Sequence, residues 1–431
     1  MSYKAFIAEV ESVRPIEGKD RIQIAIVLNT QVIVGTDIEP GYLGVLFPEG
    51  GVLSERYCEA NNLIGRKDEN GNKVGGYFDE NRRVKALKMG GVKSEGYFAP
   101  ISSLSYLGGK EYEDLKVGDS FDTLNGELIC EKYETKATKN AKSQKQGQPR
   151  KLNRMFKEHK DTDQFDHYSQ NIEKGSLITL TEKIHGTSHR IGHVLETAPV
   201  VYTGIMKWVA KLLKLPTEKE EWTVLNGTRR VVMGPNRGFR ESFYKDDNFR
   251  LNAVAGIVPH KNETLYGEIV GWTGENSLIM PVHNLDKLKD KSIVKRFGKY
   301  NTYAYGCAPG TCKFYIYRIT MTNSDGVVTE LSWDQITARA TELGVPTVPF
   351  IDQFIFDGSH RDLQDKISKM VDGDDGEAKP SMLDSTHIWE GIVIRTDSKL
   401  GTKFYKKKSF VFKVAEGICK DTDYVDLEEA S

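Results

Sequence analysis

The sequence predicts an α+β protein, with a small β-barrel or sandwich near its N-terminal end and a larger β-rich unit after it. Three observations carry this expectation. Residues 1–128 hold short runs rich in Val, Ile, Phe and Tyr, separated by Gly, Pro, Asn and Asp; such punctuation marks strands joined by tight turns. Residues 131–160 are dominated by Lys and Arg and poor in apolar side chains, as a connector would be. From residue 161 onward the β-rich pattern resumes.

Taken in order, "YKAFIAEVESV", "RIQIAIVL", "QVIVGT" and "LGVLFPEG" read as strands of the first unit, and "DLKVGDSFDTLNGELIC" (114–130) adds a strand–turn–strand signal. A barrel of this kind is OB-like, with an exposed face suited to nucleic acid. The expected organisation is a barrel over 1–130, a basic linker over 131–160, a second domain over 161–420 and an acidic, fraying tail over 421–431. The linker reads either as a solvated connector or as a flexible basic strap over a phosphate backbone. In the second unit, "IMKWVAKLLKLP" (205–216) sets apolar residues at helical spacing with Lys207, Lys211 and Lys214 between them. A short packed helix is expected there in preference to a membrane-surface one.

Composition narrows the function classes. A chain of 431 residues exceeds the usual single core, so two or three domains are expected. Hydrophobic residues at 39% and charged residues at 28% fit a folded globular protein rather than a disordered one. The net charge of −1 gives no overall sign of a polyanion partner, so any basic surface must be local. No apolar run approaches the roughly 20 residues that span a bilayer, and "MSYKAFIAEVES" lacks the pattern of a secretory signal. A soluble, cytoplasmic protein without membrane contact is expected. The five cysteines are odd in number. Cys307 and Cys312 could be half a zinc site, but no second close pair completes it, so reduced loop cysteines are expected.

The chemistry starts at "LITLTEKIHGTSHRIG" (177–192), which ends a β-rich run on Lys183, next to His185, Gly186, Thr187 and Ser188. A lysine at a strand end is ordinarily a solvated edge charge. It gains nucleophilic character when it is desolvated or set beside other cations. Suitable partners follow: "NGTRRVVMG" (226–234) with Arg229 and Arg230, "ETLYGEIVGW" (263–272) with Glu268, and the aromatic run "KFYIYRITM" (313–321). "HIWEGIVIRTD" (387–397) then supplies Glu390, and "KFYKKKSFVFKV" (403–414) supplies Lys406, Lys407, Lys408 and Lys413. Each alone reads equally well as an edge charge, a core aromatic or a solvated face. The ordered set is the signal.

This order resembles the covalent nucleotidyltransferases, the ATP-dependent ligases and messenger-RNA capping enzymes. His185 and Thr187 in the lysine signature resemble the RNA ligase 2-like group, where DNA ligases and capping enzymes usually have Asp-Gly. The β-rich domain in front resembles the Deinococcus-type RNA ligase branch. The resemblance implies a ligase-type nucleotidyltransferase domain of antiparallel sheets with flanking helices. It further implies an ATP-dependent RNA ligase using ATP and Mg²⁺ (or Mn²⁺), acting as a monomer on nicked duplexes with an RNA 3′-OH strand.

Residue by residue, the resemblance implies that Lys183 attacks the ATP α-phosphorus to give a lysyl-AMP. Lys406 and Lys408 hold the α-phosphate and favour the unprotonated nucleophile through like-charge repulsion, while Lys407 faces the other way by strand alternation. Glu268 holds the ribose hydroxyls, Tyr317 stacks on adenine with Phe314 and Tyr315 as alternatives, and Glu182 lies at the adenine edge. Glu390 places the metal or the lysine. Arg229, with Arg230 close behind, touches phosphate or the 3′-OH end. His185 either orients phosphates or metal, or is structural in the turn. Lys413 is expected at the surface or facing nucleic acid. The rival readings are a GTP-using capping-type transferase and a non-catalytic nucleic-acid-binding protein.

Overall fold

A computed structural model of the chain describes residues 3–67, 73–108, 112, 114–144, 153–233, 244, 247–373 and 376–421. The first sheet is antiparallel and runs Gly96–Pro100, Leu43–Pro48, Ala5–Ile16, Lys19–Val27, Thr30–Gly35. It curls back on itself, because the Glu95 amide donates to the Gln31 carbonyl at 2.9 Å. Side-chain alternation gives it two apolar faces: Ala5, Ile7, Val45 and Phe47 pack on one side, and Ala8, Val10, Leu46 and Val32 on the other.

Two further antiparallel sheets build the rest. One runs Gly401–Lys408, Gly391–Ser398, Leu177–Lys183, Phe350–Ile355, with Asp163–Gln164 added in parallel beside Gly401–Lys408. The other runs Val232–Met233, Glu218–Gly227, Thr187–Pro199, Glu263–Gly274, Cys312–Thr322, Val328–Glu330. The chain crosses from one to the other in the short turn between Lys183 and Thr187. Gly186 permits this, since a Cβ there would stand 2.4 Å from the Ile269 carbonyl oxygen. Helices Trp333–Leu343, His360–Asp372 and Phe410–Lys420 bury apolar faces against these sheets. Lys183 therefore sits where two sheets diverge.

Several expectations are corrected. Residues 131–160 are not a plain linker: Cys130–Lys132 pairs with Gly51–Leu53, Lys136–Gln144 is helical, and Met155 and Phe156 are buried. Positions 145–152 lie outside the described residues, as does the acidic tail beyond Asp421. Of the five cysteines only Cys307 is a loop residue, since Cys58, Cys130, Cys312 and Cys419 lie in helices or strands. Ile205–Leu212 is helical but largely exposed rather than packed.

Lys413 is the sharpest correction. It is buried, and its ammonium meets Glu95, just before the first-sheet strand Gly96–Pro100, at 2.9 Å. Around this pair lie Lys93 with Asp372 at 3.4 Å, and Lys407 with Asp166 at 2.5 Å; Asn29 also donates to Asp166 at 2.9 Å. Burial works to raise the Glu95 carboxyl, but the Lys413 and Lys93 ammoniums outweigh it and leave it at about 2. Three lysines and three acids thus balance in the seam between the first sheet and the strand Gly401–Lys408. Removing one partner leaves a buried charge without its counterion. Glu95→Ala is therefore expected to destabilise the fold by roughly 3–5 kcal/mol. Lys366→Ala, which opens the exposed Lys366–Asp352 pair, should cost about 1 kcal/mol or less. Urea denaturation of both variants checks the contrast.

Candidate active site

Strand register assembles the site before any side chain is considered. Lys183 pairs with Gly391, and Gly391 pairs with Lys408. Two residues along, Thr181, Val393 and Lys406 form the next row, and Thr179, Arg395 and Phe404 the one after. Residues two apart on a strand share a face, so the two outer rows lie on one face with Lys183, and all of these residues line a single cavity. From the other sheet come Ser188, Glu268, Tyr317 and Arg318, and His159, Lys160 and Arg229 close the rim. The cavity encloses about 900 Å³, including its open mouth.

Beside the cavity, Glu390 is fully buried and joins two lysines. Its carboxylate lies 2.9 Å from the Lys183 Nζ and 3.2 Å from the Lys408 Nζ. Burial raises the Glu390 carboxyl, but Lys183 and Lys408 outweigh it and hold it at about 2. Lys408 also meets both oxygens of Glu416 at 3.1 Å. The repulsion expected between the lysines is therefore not the only field at Lys183: an anion stands between them. Gly391 makes the geometry possible, for it has φ +146° and a Cβ would fall 2.1 Å from the Lys407 carbonyl oxygen.

Of the expected site residues, Glu182, Lys183, Arg229, Glu268, Tyr317 and Lys406 line the cavity. His185 does not. Its ring packs edge-on against Tyr303 and Phe412, with Nδ1 3.5 Å from Glu390, and its backbone amide donates to the Tyr305 hydroxyl at 2.6 Å. Arg230 is half exposed and lies 3.7 Å from Asp161, whereas Arg229 reaches that carboxylate at 2.5 Å. Phe314 and Tyr315 are buried in the core, while the Tyr317 hydroxyl shares a hydrogen bond with His159 at 3.1 Å. Lys407 points away from Lys406 into the buried seam.

Sequence reasoning missed Lys160, Trp333, Val348, Val393, Arg395 and Phe404. Alternation along "GIVIR" and "KFYK" carried the signal for three of them, because Val393, Arg395, Phe404 and Lys406 all fall on the face that Lys183 defines. Lys160 was hidden in the stretch read as a linker. Trp333 and Val348 come from a helix and a loop that no motif marks.

The comparisons add one deciding observation: the RNA ligase family model matches residues 177–415, more than half of the chain. The chain belongs to the RNA ligase family. Solved structures of a Naegleria gruberi RNA ligase share the fold of this family member at 16% identity. An apo variant covers 96% of this chain and 98% of its own, with a TM-score of 0.56. A variant with AMP and Mn covers 97% and 99% at 0.57, and one with ATP and Mn covers 97% and 99% at 0.55. Comparison with curated proteins gives no match.

Glu182 gives this RNA ligase family member a titration that can be measured. Met382 donates its amide to one carboxylate oxygen at 2.9 Å, while the other, Oε1, is buried with no hydrogen bond among the described residues. Burial raises the carboxyl from 4.5 to about 6, with Ser381 and Met382 pulling against it. A raised carboxyl favours the protonated fold: no penalty exists below about pH 4.5, and the penalty grows as pH rises to about 6 and then stays constant. Glu182→Gln should thus stabilise the fold by up to about 2 kcal/mol at pH 8 and by almost nothing at pH 4. Thermal unfolding at the two pH values tests this.

Proposed function

We propose that this chain is an ATP-dependent RNA ligase that seals nicks through a lysyl-AMP on Lys183. One observation carries the reading: an amine at a strand end lines a cavity while a buried carboxylate, shared with Lys408, fixes its position. In the first step the Lys183 Nζ bonds to the α-phosphorus of ATP, and the bond to pyrophosphate breaks. AMP then passes to a 5′-phosphate, giving a pyrophosphate-linked end. Finally a 3′-OH attacks that end and expels AMP.

The other cavity residues divide by chemistry. Lys406, Arg229 and Lys160 bring positive charge to the wall where a triphosphate would carry its negative charge. The Tyr317 ring is flat and suits a purine face, Glu268 suits a ribose diol, and the free Oε1 of Glu182 suits an exocyclic amine. Mg²⁺ is commonly held through one or two carboxylates together with substrate phosphates and water. Glu390, beside the nucleophile, is the carboxylate placed to join such a shell, and the ion would neutralise charge on the phosphate oxygens. Both its oxygens already face ammoniums, so Glu390 serves first to orient Lys183 and Lys408.

We take the first sheet as an OB-like barrel that guides a nicked duplex with an RNA 3′-OH strand, in a monomeric cytoplasmic enzyme of the Deinococcus-type branch. Its strand order and its return contact from Glu95 to Gln31 support the barrel. The reading divides the chain near residues 130 and 161.

Incubation with α-labelled ATP should transfer label to the protein, and Lys183→Ala should abolish that transfer. Absence of label, or label that survives the substitution, would sink the proposal; preference for GTP would favour a capping-type reaction. Lys406→Ala should slow labelling by about 10²–10³-fold with little change in melting temperature, since Lys406 is only partly buried at the cavity wall.

A further inference from the structure

The helix Ile205–Leu212 takes no part in the site. It stands at the tip of a long hairpin, whose strands Thr187–Pro199 and Glu218–Gly227 stay paired to their ends at Pro199 and Glu218. Its apolar residues face solvent: Ile205 is 82% exposed, Trp208 67% and Leu212 64%, with Leu213 at 63% just after the helix and Val201 at 79% before it. At about 100° per residue, Ile205, Trp208, Val209 and Leu212 fall in one arc of about 100°. Lys207 and Lys211 fall on the opposite side, and Lys214 follows the helix. Only Ala210 is buried.

From 197 to 217 the chain carries these three lysines and no Asp or Glu. The acids Glu218, Glu220 and Glu221 lie on the strand behind the tip, where Glu221 meets Lys219 at 2.9 Å and Glu220 meets Arg154 at 3.8 Å.

We infer that this hairpin tip binds the surface of anionic phospholipid bilayers, with Ile205, Trp208 and Leu212 entering the acyl boundary and Lys207, Lys211 and Lys214 meeting the headgroups. The combination of an apolar arc bearing a tryptophan with a lysine face is what an interfacial helix requires. Charge complementarity selects the occupant. A second copy of the chain would bring the same lysines together with no acid on the tip to neutralise them. Nucleic acid would satisfy the lysines and leave Ile205, Trp208 and Leu212 in water. An anionic bilayer satisfies both faces. A lone short helix binds weakly and reversibly, so the tip would hold the protein at a membrane surface without fixing it there. This inference departs from the expectation that the chain has no membrane contact.

Flotation of the full chain with phosphatidylcholine vesicles containing about one third phosphatidylglycerol tests the inference. The expected result is partitioning to these vesicles but not to pure phosphatidylcholine, weakened by raising salt. Trp208→Glu should weaken partitioning by about tenfold or more, as should joint replacement of Lys207, Lys211 and Lys214 by Glu, with unchanged circular dichroism and melting temperature. No partitioning, or partitioning that Trp208→Glu leaves intact, overturns it. Concentration-dependent dimerisation abolished by Trp208→Glu would also overturn it, assigning the face to a second copy, and an equal loss of RNA binding without any lipid effect would assign it to nucleic acid.

Discussion

A single buried carboxylate organises the part of the molecule that holds the cavity. Glu390 is fully buried and ionised, a state that costs several kcal/mol unless counterions sit within contact. Lys183 and Lys408 supply them, and each comes from a different strand beside Gly391. The carboxylate therefore cannot be satisfied unless three strands are in register and Gly391 holds its φ of +146°. Burying this charge makes the fold and the position of Lys183 one requirement rather than two.

A second layer of buried charge lies directly behind the first. Lys406, Lys407 and Lys408 are consecutive, yet alternation sends them into different surroundings: the cavity wall, the Asp166 carboxylate, and the Glu390–Glu416 pair. Asp166 also accepts from Asn29, and Lys413 on the following helix meets Glu95. The first sheet is thus tied by charge to the strand that carries Lys406 and Lys408. A shift of that sheet would break the Glu95–Lys413 pair and the Asn29–Asp166 hydrogen bond.

The sequence was informative where function depends on residue type within one strand. Lys183 at a strand end, the aromatic run containing Tyr317, and the alternation of Lys406 against Lys407 follow from local pattern, because a strand has only two faces. It was silent where function depends on partners distant along the chain. Lys413 and Glu95 are 318 positions apart, and nothing in "SFVFKV" marks that lysine as buried. For His185 the sequence left two readings, orienting phosphates or metal or a structural place in the turn, and the turn rotates its ring toward Tyr303 and Phe412. The basic stretch 131–160 misled for a related reason: charge density suggested solvent, while Asn153, Met155 and Phe156 fasten its end to the strand Thr187–Pro199.

The same contrast explains why the helix Ile205–Leu212 was misread. Helical spacing identified it, and an apolar stripe on a helix ordinarily means a packed face. Packing, however, needs a second surface within reach, and the paired strands Thr187–Pro199 and Glu218–Gly227 carry this helix to their far end. Hairpin length, rather than helix composition, decides whether the stripe is buried. The cavity lies at the other end of the same strand, where Ser188 stands 3.3 Å from Glu268. One strand therefore begins at the cavity and ends in an apolar, lysine-flanked tip, which separates the two surfaces by its own length.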